Sequence, residues 1–167
     1  CRKEDIVLSS SFYRLPVLLL ITWCSSSFAA EVFVPVTRIL DGDTIQVDID
    51  GSSRKVRLLE VDCPERDQPG GKEATDYLRN LLHETSVILD SQGSDRYGRI
   101  LATVYLDKAN INKLLVKDGM CWAYRRYLKD KSYLDLEKQA RHQKTGLWRH
   151  NNPVPPWDWR RGKRIEE

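Results

Sequence analysis

The stretch of sequence that decides the fold is residues 41–65, which read DGDTIQVDIDGSSRKVRLLEVDCPE. It contains two turn signals, Asp41-Gly42 and Asp50-Gly51, and the residues between them alternate apolar and polar side chains with a period of two. Such alternation is typical of a half-buried strand. Residues 32–40 before it and residues 55–61 at its end are rich in apolar side chains. Residues 32–61 therefore predict a three-stranded meander.

Beyond the meander, helical and strand patterns follow each other. A loop over residues 62–71 is rich in proline, glycine and charge. The elements predicted after it are a helix over 72–84, strands over 86–91 and 99–105, and helices over 111–117 and 133–144. Five strands with a helix between the third and the fourth predict an α+β fold, a five-stranded OB-type Greek-key β-barrel with about three helices. Many such barrels bind oligonucleotides, but the fold alone does not identify a ligand.

The two ends of the chain differ from the middle. Residues 1–29 combine a basic start, a short apolar run over 15–21 and the small-x-small triplet Ser27-Phe28-Ala29. This order predicts a secretory signal peptide over residues 1–29, and hence a periplasmic or secreted protein. The alternative is a buried N-terminal strand or helix. Residues 151–167 form a C-terminal tail that is rich in proline, tryptophan and arginine.

Composition sets broad limits on the class of protein. The 167 residues carry a formal net charge of +3, with 41% hydrophobic and 31% charged residues. These proportions exclude a wholly disordered chain, and the length favours one domain. No apolar run reaches the roughly 18 residues that span a bilayer. The small positive charge is weak evidence for a polyanionic partner.

Four acidic residues lie at the ends of predicted strands: Asp41, Asp43, Asp62 and Glu65. Chain reversal in a meander brings the start of the second strand beside the end of the third, so Asp43 and Asp62 can meet at one rim of the sheet. Carboxylates that converge need a cation between them or must take up protons. A hard divalent ion with oxygen ligands satisfies this requirement.

Two arginines are expected near the same rim. Arg57 is in the third predicted strand and Arg99 opens the fifth. Fixed cations beside a metal-binding carboxylate pair would stabilise the negative charge that an attacked phosphodiester gains. The simpler alternative is a pair of structural salt bridges, Arg57 with an aspartate and Arg99 with Asp95.

Three ordered motifs carry a resemblance to a known family. They are Asp41-Gly42-Asp43-Thr44, the segment 57–65 and Asp95-Arg96-Tyr97-Gly98-Arg99, to which Asn112, Gly119 and residues 146–148 add. This pattern resembles the staphylococcal (micrococcal) nuclease family over about residues 34–148. The resemblance implies an OB-fold nuclease domain over residues 30–150. It also implies a Ca²⁺-dependent phosphodiesterase that cuts DNA and RNA to leave 3′-phosphate ends, and we expect a monomer without a stable protein partner.

The resemblance also implies a metal site and a general base. Asp43 and Asp62 correspond to the Ca²⁺ carboxylates. Cys63 stands where the staphylococcal enzyme has a threonine whose backbone carbonyl binds the ion, and a carbonyl ligand survives that change of side chain. Glu65 corresponds to the proposed general base for the attacking water.

The remaining residue roles concern the substrate. Arg57 and Arg99 correspond to the two arginines that hold the phosphate, and Tyr97 to a tyrosine near the terminal phosphate. Tyr127 aligns with one of two tyrosines that contact the nucleotide base. Arg125 replaces the other, and a guanidinium plane can also stack on a base. The base preference of the family therefore does not transfer directly to this chain.

Cys63 and Cys121 are the cysteines that remain once the predicted signal peptide has been removed. Two cysteines in an oxidising compartment can pair. In the staphylococcal family the segment that corresponds to Cys121 passes close to the loop after the third strand, so the resemblance favours a disulfide. Two buried free thiols are the alternative.

Two other functions remain open. A nuclease-like OB module could hold nucleic acid without cutting it, and a secreted interaction domain could bind anionic surfaces through its arginine-rich tail. Non-catalytic members of the superfamily have lost the acidic and arginine residues of the site. This chain keeps all five of these side chains, which favours the nuclease: Asp43, Arg57, Asp62, Glu65 and Arg99.

Overall fold

The computed structural model describes residues 32–164, so the predicted signal peptide over residues 1–29 lies outside the described residues. The strands are β1 (Phe33–Ile39), β2 (Thr44–Ile49), β3 (Ser52–Leu58), β4 (Val61–Asp62), β5 (Ser86–Ser94), β6 (Ile100–Leu106), β7 (Ala109–Asn110) and β8 (Trp122–Ala123). The helices are α1 (Gly71–Leu82), α2 (Ile111–Lys117), α3 (Ser132–Gln143) and the short α4 (Pro156–Trp159), and a 3₁₀ turn covers Gly146–Arg149. Within this range no helix is long and apolar enough to cross a membrane.

Five of the strands form a closed barrel. The strands β3, β2, β1, β5 and β6 pair in that order with antiparallel neighbours, and a parallel pairing of β3 with β6 closes the circle. In the closing pair Val56 lies opposite Ile100 and Leu58 opposite Ala102. The predicted α+β fold with an OB-type barrel is therefore confirmed, and closure leaves few unpaired strand edges.

The alternation of side chains along the strands builds the core of this barrel. Ile45 and Val47 on β2 and Val56 on β3 are completely buried. Each such aliphatic side chain contributes roughly 1.5–3 kcal/mol through its removal from water. The buried residues of α1 recur every four positions, as a helix packed against a barrel requires: Ala74, Leu78 and Leu82.

The third strand of the barrel ends earlier than its apolar pattern predicts. It stops at Leu58, and β4 begins at Val61 after a turn in which Glu60 has a φ of 64°. The strand β4 then pairs with β8 and leaves the barrel. The prediction of one continuous strand over residues 55–61 is wrong, because the left-handed conformation at Glu60 turns the chain.

The C-terminal tail packs back onto the domain. Gln68 donates a hydrogen bond of 2.6 Å from Nε2 to the carbonyl of Val154, and Val154 and Pro156 are buried. Trp157 packs against a second, smaller apolar cluster formed by Trp122, Ala140, Leu147 and Trp148. The tail therefore belongs to the same compact unit as the barrel. This packing brings the arginines of the tail to one end of the barrel.

Candidate active site

A cavity of about 960 Å³ lies at one end of the barrel. Its walls come from the turn between β1 and β2, from the loops that follow β3 and β4, and from the turn between β5 and β6. The segment after β8 and the C-terminal end of α4 complete them. We call it the catalytic cavity. Eight of the residues that the sequence nominates line it: Asp43, Arg57, Asp62, Cys63, Glu65, Tyr97, Arg99 and Tyr127.

Arg57 joins the two aspartates of this cavity. Its Nη2 lies 3.0 Å from Asp43 Oδ2 and 3.1 Å from Asp62 Oδ1. Its Nη1 donates hydrogen bonds of 2.9 and 3.0 Å to the carbonyls of Leu58 and Val61. The turn between β3 and β4 therefore positions the guanidinium through two backbone acceptors. The salt bridge that the sequence left as the simpler alternative for Arg57 is present.

Asp43 is almost completely buried, with 7% of its surface exposed. The backbone N–H of Cys63 donates a hydrogen bond of 2.8 Å to Oδ2, and the Thr44 hydroxyl donates one of 3.2 Å to Oδ1. Burial raises the pKa of Asp43 to about 7, although the nearby Arg57 opposes that shift. A carboxylate in such surroundings is stabilised by any further cation that reaches it.

A second guanidinium, that of Arg160 after α4, reaches the same carboxylates. Its Nη2 lies 2.7 Å from Asp62 Oδ2, and its Nη1 lies 2.6 Å from Glu65 Oε1. Asp62 is 1% exposed, whereas the side chain of Glu65 is 39% exposed. Sequence reasoning missed Arg160, which is 98 residues from Asp62 along the chain. The sequence feature that could have pointed to Arg160 is the density of tryptophan and arginine over residues 157–161.

The loop that carries Glu65 is tightly folded. The backbone N–H of Glu65 donates a hydrogen bond of 3.1 Å to Gln68 Oε1, and the backbone N–H of Gln68 donates one of 2.9 Å to the Glu65 carbonyl. Gly71 approaches that carbonyl so closely that a Cβ there would lie 1.9 Å from its oxygen. The side chain of Glu65 therefore extends from a well-defined backbone, with glycine required at position 71.

The turn between β5 and β6 presents Tyr97 and Arg99 to the catalytic cavity. Asp95 Oδ2 accepts a hydrogen bond of 2.8 Å from Arg99 Nε, and Asp95 Oδ1 accepts backbone N–H groups of Tyr97 and Arg99 at 2.9 and 3.0 Å. Burial would raise the pKa of Asp95, but these hydrogen bonds outweigh it and the pKa is lowered. The Asp95 carboxylate orients Arg99 through Nε, and Tyr97 is 68% exposed beside it.

The structure separates the two residues predicted to contact a base. Tyr127, which is 56% exposed, lines the catalytic cavity. Arg125 instead has its Nη2 3.3 Å from Glu137 Oε1 and lines a neighbouring space of about 500 Å³, which we call the tail cavity. The tail cavity is lined by Tyr124, Arg125, Arg126, Trp157, Arg160 and Arg161. Of these residues, the sequence predicted a substrate-binding role for Arg125 alone.

A disulfide joins Cys63 to Cys121, two residues 58 positions apart with a Cα–Cα distance of 4.2 Å. Both residues are buried. Gly42 packs against the bond, since a Cβ at this position would lie 2.8 Å from Cys63 Cβ. The disulfide anchors the backbone N–H of Cys63, which in turn holds the Asp43 carboxylate.

Asp43 and Asp62 match a hard divalent cation in their donor chemistry. Both offer carboxylate oxygens, both are nearly buried, and both already attract the positive charge of a guanidinium. Within residues 32–164 no group of three or more His, Cys, Asp and Glu side chains is arranged to hold a metal ion. A cation here would therefore depend on these two carboxylates together with backbone and water oxygens.

Comparisons with known proteins agree with this geometry. Residues 55–150 match the family model described as staphylococcal nuclease homologue. The chain is 41% identical over 150 residues to an "Uncharacterized endonuclease" of Haemophilus influenzae, with 89% of this chain and 84% of the relative covered. It is 41% identical over 140 residues to a "Micrococcal nuclease" of Shigella flexneri, with 77% and 80% covered. An "Uncharacterized endonuclease" of Escherichia coli is 39% identical over 148 residues, with 88% and 95% covered. On this evidence the chain belongs to the family of staphylococcal nuclease homologues.

Proposed function

We propose that this protein is a nuclease that hydrolyses phosphodiester bonds of DNA and RNA. The observation that carries the proposal is one cavity in which two buried carboxylates share the Arg57 guanidinium, with Glu65 and Arg99 on its walls. Relatives named endonuclease and micrococcal nuclease support it. Closely placed acids and arginines provide both a proton acceptor and fixed positive charge, which phosphodiester hydrolysis requires.

Four residues of the cavity act on the phosphodiester in this proposal. Glu65, the more exposed of the acids, accepts a proton from the water that attacks phosphorus. Arg57 and Arg99 stabilise the negative charge that the phosphate gains. Tyr97 lies beside the terminal phosphate. The bond between phosphorus and the 5′ oxygen then breaks, and the departing 5′ oxygen takes up a proton from water to become a hydroxyl, which leaves 3′-phosphate ends.

We further propose that the protein uses Ca²⁺. Asp43, Asp62 and the backbone carbonyl of Cys63 would hold the ion, since hard oxygen donors suit calcium. When bound, the ion would supply positive charge beside the phosphate. The Cys63 N–H keeps Asp43 in place through its hydrogen bond, and Arg57 holds both aspartates at the rim.

The proposed location is the periplasm or the exterior of the cell. The signal-peptide pattern over residues 1–29 supports it. The disulfide between Cys63 and Cys121 supports it independently, because disulfides persist in oxidising compartments. We propose that the protein acts there as a monomer.

Incubation with plasmid DNA, single-stranded DNA and RNA tests the function. Each substrate is treated in Ca²⁺, in Mg²⁺ and in EGTA, and the ends of the products are analysed. Degradation in Ca²⁺ with 3′-phosphate ends is the expected result. Glu65→Gln should lower the rate by about 10²–10⁴-fold. Glu84→Gln is the matched control, because the side chain of Glu84 is 86% exposed and lies outside the catalytic cavity.

The second candidate is a module that binds nucleic acid without cutting it. The observation that favours it is the pairing of Arg160 with both Asp62 and Glu65, since the guanidinium occupies carboxylate oxygens that would otherwise contact water or a metal ion. A shift of labelled DNA in a gel, with no cleavage in Ca²⁺ or Mg²⁺, would support this module. Equal cleavage rates for the unchanged protein and for Glu65→Gln would exclude Glu65 as the general base.

A further inference from the structure

The tail cavity adjoins the catalytic cavity and shares part of its wall. Tyr124, Arg126 and Arg160 line both spaces. Arg160 stands between them, because its guanidinium contacts Asp62 and Glu65 on one side. A bound nucleic-acid strand that extends from the catalytic cavity past Arg160 therefore enters the tail cavity.

The lining of the tail cavity is rich in arginine. It includes four arginines and no acidic residue. Three of the four arginines are paired with carboxylates outside this cavity: Arg125 with the buried Glu137, Arg161 with Asp158, and Arg160 with Asp62 and Glu65. Among the described residues Arg126 pairs with no carboxylate, and its guanidinium lies 5.6 Å from the ring of Tyr127. Such a concentration of guanidinium groups matches a ligand with several phosphates.

Aromatic rings accompany these charges. Tyr124 and Trp157 are stacked, with an angle of 8° between their planes and 5.9 Å between their centroids. Tyr127 meets Tyr124 edge to face at 5.0 Å. The exposed parts of such rings stack on nucleic-acid bases of any sequence. An acidic protein surface has no bases, so the rings favour a nucleic acid as the ligand. In a duplex the base faces are already covered by neighbouring base pairs, so the platform favours a single strand.

The platform is built before any ligand arrives. The Val154 carbonyl is fixed by Gln68, Pro156 is buried, and Trp157 packs against the small apolar cluster of the domain. Preformed rings lose little conformational entropy on binding. We propose that the tail cavity is a second nucleic-acid subsite, which binds one or two nucleotides of a single strand next to the phosphodiester in the catalytic cavity. This inference rests on the proposed function for the position of the cleaved bond.

Binding is tested without cleavage. In EGTA, fluorescence anisotropy measures the affinity of fluorescein-labelled oligothymidylates of about 4 and about 16 nucleotides over a range of salt concentrations. Trp157→Leu should weaken binding of the longer oligonucleotide by about 5- to 100-fold. Arg161→Ala should lower the slope of log K against log salt by about 0.7, which corresponds to one lost phosphate contact on a single strand.

Lys163→Ala is the matched control, since it removes one positive charge from the same exposed end of the tail without touching the tail cavity. It should leave the slope unchanged. Arg161→Ala is a surface change, as 74% of this side chain is exposed, so it decides the question even where Trp157→Leu fails to fold. The proposal would be overturned if Arg161→Ala binds the long oligonucleotide as tightly as the unchanged protein does. It would also be overturned if polyglutamate displaces the labelled oligonucleotide as well as unlabelled oligothymidylate does.

The same samples separate this inference from the proposed function. If the protein binds the oligonucleotides with this dependence on Trp157 and Arg161 but cuts nothing in Ca²⁺, the subsite stands and the nuclease proposal fails. If the protein cuts DNA in Ca²⁺ but both variants bind as the unchanged protein does, the nuclease proposal stands and the subsite is wrong.

Discussion

Removal of the disulfide between Cys63 and Cys121 should strongly destabilise the domain. The two cysteines are 58 residues apart. For a loop of this length the chain-entropy model gives a contribution of about 4 kcal/mol to the free energy of unfolding. A typical domain has a free energy of unfolding of about 5–15 kcal/mol. The loss would therefore be a large part of the total.

Urea unfolding followed by tryptophan fluorescence measures this contribution in four proteins: the unchanged chain, Cys63→Ala, Cys121→Ala and the double variant. Each single variant should lose nearly as much as the double variant, because either change removes the same bond. The coupling between the two changes should accordingly be about 4 kcal/mol. A reducing agent should destabilise the unchanged chain and leave the double variant unaffected.

The opposite outcome is equally clear. If the two cysteines are independent thiols, each single variant loses about 1 kcal/mol or less and the losses add in the double variant. Alkylation of the unreduced, denatured protein without residues 1–29, in which Cys63 and Cys121 are the two cysteines, would then add two labels by mass. That result would refute the disulfide and would weaken the argument for an oxidising compartment.

Three further predictions concern single residues. Arg99→Lys keeps the charge but loses the planar fork, so kcat/KM on single-stranded DNA should fall at least about tenfold; a rate near that of the unchanged protein would mean that Arg99 acts only as a surface charge. Gly42→Ala places a methyl group against Cys63 and should cost about 1–3 kcal/mol in urea unfolding, and an unchanged midpoint would contradict the close packing. The pKa of Asp130 is lowered to about 2, chiefly by its pairing with Lys113. Its stabilising effect is therefore present above pH 4 and is lost as the pH falls through about 2. Asp130→Asn should lower the free energy of unfolding by up to about 1 kcal/mol at neutral pH, and this difference should shrink as the pH falls through 2, as acid titrations of both proteins would measure.

Short-range sequence patterns were sufficient for the barrel. Alternation with a period of two marks β2 without reference to any distant residue, because one face of the strand enters the core and the other meets solvent. Turn signals at Asp41-Gly42 and Asp50-Gly51 limit the strands between them. Reasoning about chain reversal in the meander also predicted that Asp43 and Asp62 would meet, and both lie at Arg57 Nη2.

The same patterns did not reveal where β3 ends. Leu58 and Val61 are both buried, so the apolar run continues through the turn. The left-handed conformation at Glu60 directs the chain from β3 into β4, which pairs with β8 about 60 residues further along the chain. A long-range pairing of this kind leaves no periodic trace in the segment that it redirects.

The composition of the tail was evident, but its position was not. Arg160 reaches Asp62 across 98 residues, and Gln68 holds Val154 across 86. These contacts depend on how the tail packs against the loop after β4 and against the tryptophans near α3. Hydrophobic burial is non-directional, so an apolar tail segment specifies that it will be covered, and the shape of the folded domain decides where.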